Sequence, residues 1–374
     1  MSKTYLLEIG TEEIPARVVG DALAQLKNNC IKILNENQIT YETIEVYSTP
    51  RRLSLIINGL NNNTENLVET VKGPSKKISY DKDGNPTKAL LGFMRGQNVE
   101  LRDTSIQDFN GEEYVYAKVV KQEKAIEEVL NKEMITLIKS INFPKSMKWG
   151  GKNLKFARPI RWIVSLLDGE IVHFNLEGIE SSNITRGHRF LGSQQILIED
   201  VHDYKNLLRE NFVILDGEER KEIIKYGSEK LAKEKGGNLH IDNELLDEVT
   251  NILEYPTPMI GRIKVEYLKL PPAIIITPMK EHLRFFPVFD DKNRLLPYFI
   301  SIRNGNDEYR DIVIKGNEKV LGARLEDAKF FYEDDISKPL EDYVEKLKTI
   351  TFQDEIKTFI YISFTKLVIK TYIF

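Results

Sequence analysis

Apolar and polar positions alternate along residues 44–47 and 52–57, where β-branched side chains are also frequent. A period of two places successive side chains on opposite faces, so both segments read as strands. Residues 5–9, 114–120, 162–167, 171–176, 196–198 and 298–302 read the same way, the last ending at the turn signal Asn304-Gly305. Between them the period lengthens to that of a helix. Residues 125–141 carry Ile126, Val129, Leu130, Met134, Leu137 and Ile138 on one side, and helices are also expected at 16–35, 87–96, 204–211, 218–235 and 243–254. Inward positions are Leu207 and Leu208 in the helix at 204–211, and Ile223, Ile224 and Leu231 in that at 218–235. In the segment 316–335, GNEKVLGARLEDAKFFYEDD, Val320, Leu321, Leu325 and Ala328 recur at helical steps, with Lys319, Arg324 and Lys329 towards the margins. Ahead of the first helix, Thr11 offers a cap, Glu12 and Glu13 an acidic first turn, and Pro15 a helix start.

Strands mixed with helices predict an α+β chain of two or more mixed α/β domains. The turn-rich DKDGNP at 81–86 breaks the first region, and the Pro-, Gly- and Lys-rich passage after residue 142 marks a junction or functional loop. The expected organisation is an N-terminal α+β domain over 1–145 and a central α+β domain over 146–335. The start of a helical region follows at 336–356, then an atypical tail at 357–374. That tail ends in a β-branched, aromatic run, expected to be poorly packed or sequestered by another surface.

The 374 residues suffice for more than one core at 41% hydrophobic content. Lys and Arg number 53 against 57 acids, a net charge of −4, so any polyanion surface must come from local clustering. The single cysteine, Cys30, excludes an internal disulfide framework and a multi-cysteine zinc site. It reads as a small core residue of a protein in a reducing cytoplasm. Glu8 interrupts the first apolar run before it reaches the length of a secretory signal, and no run approaches the ~18 apolar residues that span a bilayer. No membrane association is expected.

Three clusters join positive charge to aromatic surface. They are Lys145, Lys148, Trp149, Lys152, Lys155, Arg158, Arg161 and Trp162; then Arg186, His188, Arg189 and Phe190; then Lys280, His282, Arg284, Phe285 and Phe286. Cations neutralise phosphates and flat rings stack on unpaired bases, which suits RNA. Core aromatics with solvated cationic neighbours would give the same pattern. His202-Asp203 lacks the further ligands of a metal-dependent phosphohydrolase, and Asp203 is expected to start a helix. No HExxH, phosphate-binding GxxxxGK[ST], dinucleotide GxGxxG or nucleophile elbow is present, so no catalytic residue, metal ligand or cofactor site is expected in this chain.

The chain carries, in order, LLEIGTEEIPA at 6–16, STPRRL at 48–53, KGP at 72–74, FPKSMKWG at 143–150 and FARPIRWIVSLL at 156–167. TRGHRFL at 185–191, EVTNILEYP at 248–256, TPMKEHLRFFPV at 277–288 and the segment 316–335 follow. In these segments it closely resembles the beta subunit of the bacterial two-subunit glycyl-tRNA synthetase. The resemblance implies an α2β2 enzyme that joins glycine to tRNA(Gly) with ATP, giving AMP and diphosphate. It assigns ATP, Mg and adenylate chemistry to the alpha subunit, and tRNA binding to beta. On this reading the alpha subunit and tRNA(Gly) are the partners, and Lys145, Lys148, Arg158, Arg161, Arg186, His188, Arg189, Lys280, His282 and Arg284 are candidate tRNA contacts. The middle region is similar to the B3/B4 domain of the phenylalanyl enzyme's beta subunit, which raises the alternative of a hydrolase of mischarged tRNA; a separate alternative is a purely structural assembly module. Leu283 departs from the family's expected Gln. The family's later helical and anticodon-binding regions are missing after about residue 353, so the sequence reads as an N-terminal portion, expected to be inactive alone.

Overall fold

The computed structural model describes residues 2–61, 68–120, 125–151, 153–353 and 357–358. The strand expected at 5–9 extends over Lys3–Thr11 and runs through the middle of a seven-stranded sheet. On one side it pairs antiparallel with Arg52–Leu60, which pairs in turn with Thr43–Thr49. On the other it pairs antiparallel with Ile160–Leu167, beyond which lie Ile179–Ser182 and Asn175–Leu176, with Glu170–Ile171 attached. Residues on both sides of position 145 therefore build one sheet.

Alternation divides the central strand between two layers. Tyr5, Leu7 and Ile9 face a large core shared with the helices Val19–Glu36 and Ile126–Ser140, through Ala22, Leu26, Cys30, Leu130, Met134 and Leu137. Leu6 faces the other way, into a smaller core with Ile56, Trp162, Val164, Leu166, Tyr204 and Leu208. Glu8 and Gly10 share that second face with Leu6, and strand register sets Ser54 and Val164 beside Glu8, and Arg52 and Trp162 beside Gly10. A carboxylate thus enters an interior layer, and this positions the site described below.

A three-stranded sheet, with Glu112–Val120 between Val68–Ser75 and Thr104–Phe109, carries the helix Lys88–Gln97. The chain divides into two compact units, Met1–Lys221 with Asp247–Tyr255, and Glu222–Leu246 with Pro256–Phe374. The second unit holds the sheet order Asn238–Leu239, Phe286–Phe289, Leu295–Asn304, Pro256–Arg262. Its core joins Tyr267, Met279, Phe285 and Phe299 to Leu321 and Leu325 of the helix Arg310–Asp335. The α+β class holds, with helices and strands in several sheets.

Two local expectations change, and one strand lies where the sequence pattern suggests no element. The stripe on Arg310–Asp335 buries Leu321 and Leu325, while Val320 is 49% exposed. Adjacent helical residues diverge by about 100°, and the inward face is completed by polar partners instead. Asn317 donates to Ser301 Oγ at 3.0 Å, and Glu318 accepts the Arg262 backbone N–H at 2.8 Å. Pro256–Arg262 is a strand despite Pro256 and Pro258, because it lies at the sheet edge where a missing donor is tolerated. The first α-helix begins at Val19 after a 3₁₀ turn at Ala16–Val18, so Thr11 ends the strand and Glu12 and Glu13 stay in the connection.

Beyond the long helix, Leu340–Val344 and Glu345–Lys348 are short helical turns, and Thr351–Gln353 pairs with Lys357–Thr358. The expectation for the tail at 357–374 lies, after residue 358, outside the described residues. No helix among the described residues is long and apolar enough to cross a membrane.

Cys30 is fully buried on Val19–Glu36, and burial pushes its thiol up to about 12. At pH 8 its thiolate fraction is then on the order of one in ten thousand. Iodoacetamide is expected to leave Cys30 unmodified in native buffer and to label it in denaturant; rapid native labelling, followed by mass spectrometry, would contradict this burial.

Candidate nucleic-acid interface

Glu8 is fully buried, and its carboxylate collects four partners. Thr185 Oγ1 donates to it at 2.7 and 2.9 Å, Trp162 Nε1 and the Tyr204 hydroxyl also donate, and Arg52 Nη1 lies 3.6 Å away as an ion pair. Arg52, also fully buried, donates Nη2 to the Arg186 carbonyl at 2.7 Å and to Glu254 Oε1 at 3.3 Å, and Nε to Thr49 Oγ1 at 3.1 Å. Arg51 donates Nε to Glu254 Oε2 at 3.3 Å and reaches the Gly187 carbonyl. Two guanidiniums therefore balance two carboxylates, the condition under which buried charge is tolerable. Burial works against the Arg52 charge, but the Glu8 and Glu254 carboxylates outweigh it, and its pKa rises. At Arg51 burial prevails over Glu254 and the pKa falls. Burial, then the Glu8 charge, holds the Tyr204 hydroxyl well above its ordinary value.

This charged layer supports a cleft of about 520 Å³ lined by Thr11, Glu12, Arg51, Arg161, Trp162, Arg186, Arg189 and Gln194. Trp162 lies against Gly10, where an added Cβ would come within 1.9 Å of the indole, so only glycine lets the ring settle there. The Arg186 guanidinium stands 4.7 Å from the Trp162 ring centroid, a cation–π contact. Arg161 donates Nε to Glu12 Oε1 at 2.7 Å, and Arg189 reaches Glu12 Oε2 at 3.4 Å and Glu13 Oε1 at 3.6 Å.

The loop carrying Arg186 and Arg189 is braced from within. Gly187 N donates to the Ser193 carbonyl at 2.7 Å, His188 N to the Asn211 carbonyl at 2.9 Å, and Gln194 Nε2 to the His188 and Arg189 carbonyls, each at 3.2 Å. A Cβ on Gly192 would meet the Asn211 carbonyl at 2.4 Å, which explains glycine at that close approach. Phe190 stands at the tip, 85% exposed.

The structure therefore gathers Arg161, Arg186 and Arg189 at one cleft. His188 is buried and accepts from the Phe190 and Leu191 amides at Nδ1, over 3.4 and 3.3 Å. Lys145, Lys148 and Arg158 are exposed outside the cleft lining, Arg158 donating to the Ala157 carbonyl at 2.9 Å. Trp149 packs against the large core, and Lys152 lies outside the described residues. Lys280, His282 and Arg284 belong to the second unit, where Lys280 pairs with Asp242, His282 is exposed and Arg284 is half-buried at φ 57°. Leu283 packs against that unit's core, which accounts for an apolar residue there. Asp203 stands at the N-cap of the helix Tyr204–Glu210, as expected, but its side chain makes no capping bond; that bond belongs to the preceding turn Val201–Asp203, where the Asp200 carboxylate accepts the His202 amide at 2.8 Å. Among the described residues no group of three His, Cys, Asp or Glu side chains is placed to hold a metal.

Sequence reasoning missed the charged layer's Glu8, Thr49, Arg51, Arg52, Thr185, Tyr204 and Glu254. A signal was present for two of them. Glu8 interrupts an apolar strand, and Arg52 occupies the inward phase of the alternation that continues through Ser54 and Ile56.

The family model of the glycyl-tRNA synthetase beta subunit matches residues 5–361. The chain belongs to that family. It is 49% identical over 358 residues to the Glycine–tRNA ligase beta subunit of Clostridioides difficile (strain 630), covering 95% of this chain and 52% of that one. The protein of the same name from Listeria welshimeri is 45% identical over 359 residues, covering 96% and 52%. That from Limosilactobacillus reuteri (strain DSM 20016) is 46% identical over 358 residues, with the same coverage. The chain spans about half the length of the curated relatives it matches. Five segments that carry the family resemblance meet in the charged layer and cleft. LLEIGTEEIPA brings Glu8, Gly10 and Glu12; STPRRL brings Thr49, Arg51 and Arg52; FARPIRWIVSLL brings Arg161 and Trp162; TRGHRFL brings Thr185, Arg186 and Arg189; EVTNILEYP brings Glu254.

Glu8→Ala leaves Arg52 buried beside only one carboxylate, and is expected to lower unfolding free energy by about 3–5 kcal/mol. Gly10→Ala drives a methyl into Trp162 and should cost ~1–3 kcal/mol or more. Urea denaturation measures both, and wild-type midpoints for either variant would refute this account of the layer.

Proposed function

We propose that this chain is part of a glycyl-tRNA synthetase beta subunit and that it helps to hold tRNA(Gly) while an alpha subunit catalyses glycylation. The reaction consumes glycine, tRNA(Gly) and ATP and releases AMP and diphosphate. ATP and Mg are used at the alpha subunit on this reading, in the cytoplasm. The observation that carries the role of this chain is the convergence of Arg161, Arg186 and Arg189 on one open cleft, beside the exposed ring of Phe190.

The contribution is positional. Guanidiniums bind phosphodiesters in two-point contacts, an aromatic face accepts an unpaired base, and a braced loop loses little freedom when they do so. Such contacts fix the register of an RNA and bring its reacting end within reach of a second subunit, a gain in orientation that needs no covalent step here. Arg158, outside the cleft lining, lies exposed in the segment that leads into the Arg161 strand. The names carried by the relatives favour neither the deacylating hydrolase nor the purely structural module.

Replacing Arg158, Arg161, Arg186 and Arg189 by Ala together is expected to weaken association of tRNA(Gly) and flatten its salt dependence. The slope of log K against log salt should fall by about 0.7–0.9 for each phosphate that is no longer neutralised. The measurement is a salt titration of the chain mixed with alpha subunit and tRNA(Gly), read by co-elution and glycylation. A slope identical to that of the unsubstituted chain removes these arginines from the interface.

A further inference from the structure

Glu12 lines the cleft with its carboxylate held between two guanidiniums. Arg161 directs both Nε and Nη2 at its Oε1, each at 2.7 Å, while Arg189 approaches its Oε2 at 3.4 Å. Two guanidiniums from separate elements, the strand Ile160–Leu167 and the braced 186–195 loop, thus bracket one planar anion. A phosphate presents the same paired acceptor oxygens to such a bracket.

We propose that Glu12 is an internal stand-in for a nucleotide phosphate, and that a single-stranded RNA phosphate binds this cleft by displacing its carboxylate from Arg161 and Arg189. The inference rests on the RNA-holding role argued above and names how its site is occupied when RNA is absent.

Burial decides which of the ion pairs can exchange. The Arg51 and Arg52 pairs with Glu254 and Glu8 have side chains no more than 6% exposed, and parting them would strand charge in the interior. The Glu12, Arg161 and Arg189 side chains are 37%, 53% and 43% exposed, so water can take over each group as the pair opens. Release needs only a side-chain rotation. The Glu12 backbone stays fixed, its N–H donating to the Pro159 carbonyl at 3.1 Å and its carbonyl accepting Thr11 Oγ1 at 2.6 Å. Once the carboxylate swings out, Arg161 and Arg189 join Arg186 in facing a volume of about 520 Å³. That lies within the roughly 300–1,000 Å³ of small-ligand sites. Phe190, next to Arg189 and 85% exposed, offers a stacking face for an unpaired base and selects a single strand over a duplex, whose bases are covered.

The test uses the whole chain and a fluorescently labelled single-stranded RNA oligonucleotide, with affinity read by anisotropy at low salt. Glu12→Gln keeps the shape and removes the carboxylate shared by Arg161 and Arg189, leaving on Arg189 only the more exposed Glu13 at 3.6 Å, and is expected to tighten binding by roughly 3- to 10-fold, the range that two half-exposed ion pairs supply. Adding Arg161→Ala should abolish that gain. Phe190→Ala should weaken binding at least about fivefold for the single strand and leave a duplex of equal length unaffected. Glu36→Gln removes the same charge from a helix end outside the cleft, where it pairs with Lys32 at 3.8 Å, and should change affinity little. Equal tightening by Glu36→Gln would mean bulk charge alone and would overturn the proposal. So would an unchanged or weaker Glu12→Gln complex while Arg161→Ala still weakens binding, an outcome that leaves the RNA-holding role standing. Unchanged binding in both Arg161→Ala and Arg189→Ala would remove that role as well. Thermal melting confirms that each variant is folded before its affinity is compared.

Discussion

A single carboxylate held in a hydrophobic layer sets the terms for everything around the cleft. Glu8 lies in the central strand, on the face shared by Leu6, Ile56, Val164 and Leu166, where an unpaired charge would cost several kcal/mol. Its neighbours are therefore prescribed: a hydroxyl from Thr185, an indole N–H from Trp162, a phenol from Tyr204 and a cation from Arg52. Each donor reaches Glu8 from a different stretch of chain. Satisfying one buried group thereby fixes where the strand Ile160–Leu167, the helix Tyr204–Glu210 and the loop after Thr185 must lie.

That constraint passes outward in two steps. Arg52 and Arg51 are committed to interior carboxylates, yet each also donates to a carbonyl of the Arg186-Gly187 segment. Fixed cations thus brace the backbone from which other cations project. Arg220 acts similarly beneath the layer, donating to the Ser48, Ile214, Leu215 and Thr250 carbonyls while burial lowers its pKa to about 10, still far above neutrality. The arginines fall into two groups by exposure, and only the exposed group is free to change partners at modest cost. Preorganisation of this kind reduces the entropy lost when a flexible polyanion is captured.

The remaining cationic positions obey local packing. Lys280 pairs with Asp242, Leu283 and Phe285 fill the core of the second unit, and Lys72 lies 3.7 and 3.6 Å from the ring centroids of Phe109 and Tyr114. Aromatic–cation proximity in the sequence thus arises from several causes. At Trp149 the ring packs half-buried against the large core beside exposed cations, whereas at Trp162 the ring is buried and still carries Arg186 across it.

The sequence by itself determined the elements. Period-two stretches became Arg52–Leu60 and Thr43–Thr49, the apolar face of Ile126–Ser140 was legible residue by residue, and the family followed from ordered local wording. Local periodicity is sufficient there because a strand or helix buries the face its own residues define. It was insufficient at Val320, where polar partners of the inward face shifted the buried stripe, and at Pro256–Arg262, where an edge position excused two prolines. The charged layer was decided only in three dimensions. Glu8, Arg52, Thr185 and Glu254 are up to 246 positions apart, and nothing local distinguishes an acid that meets solvent from one that meets a buried guanidinium. The grouping of Arg186, His188 and Arg189 was visible as composition, but loop packing alone turned His188 inward and left the two arginines at the cleft.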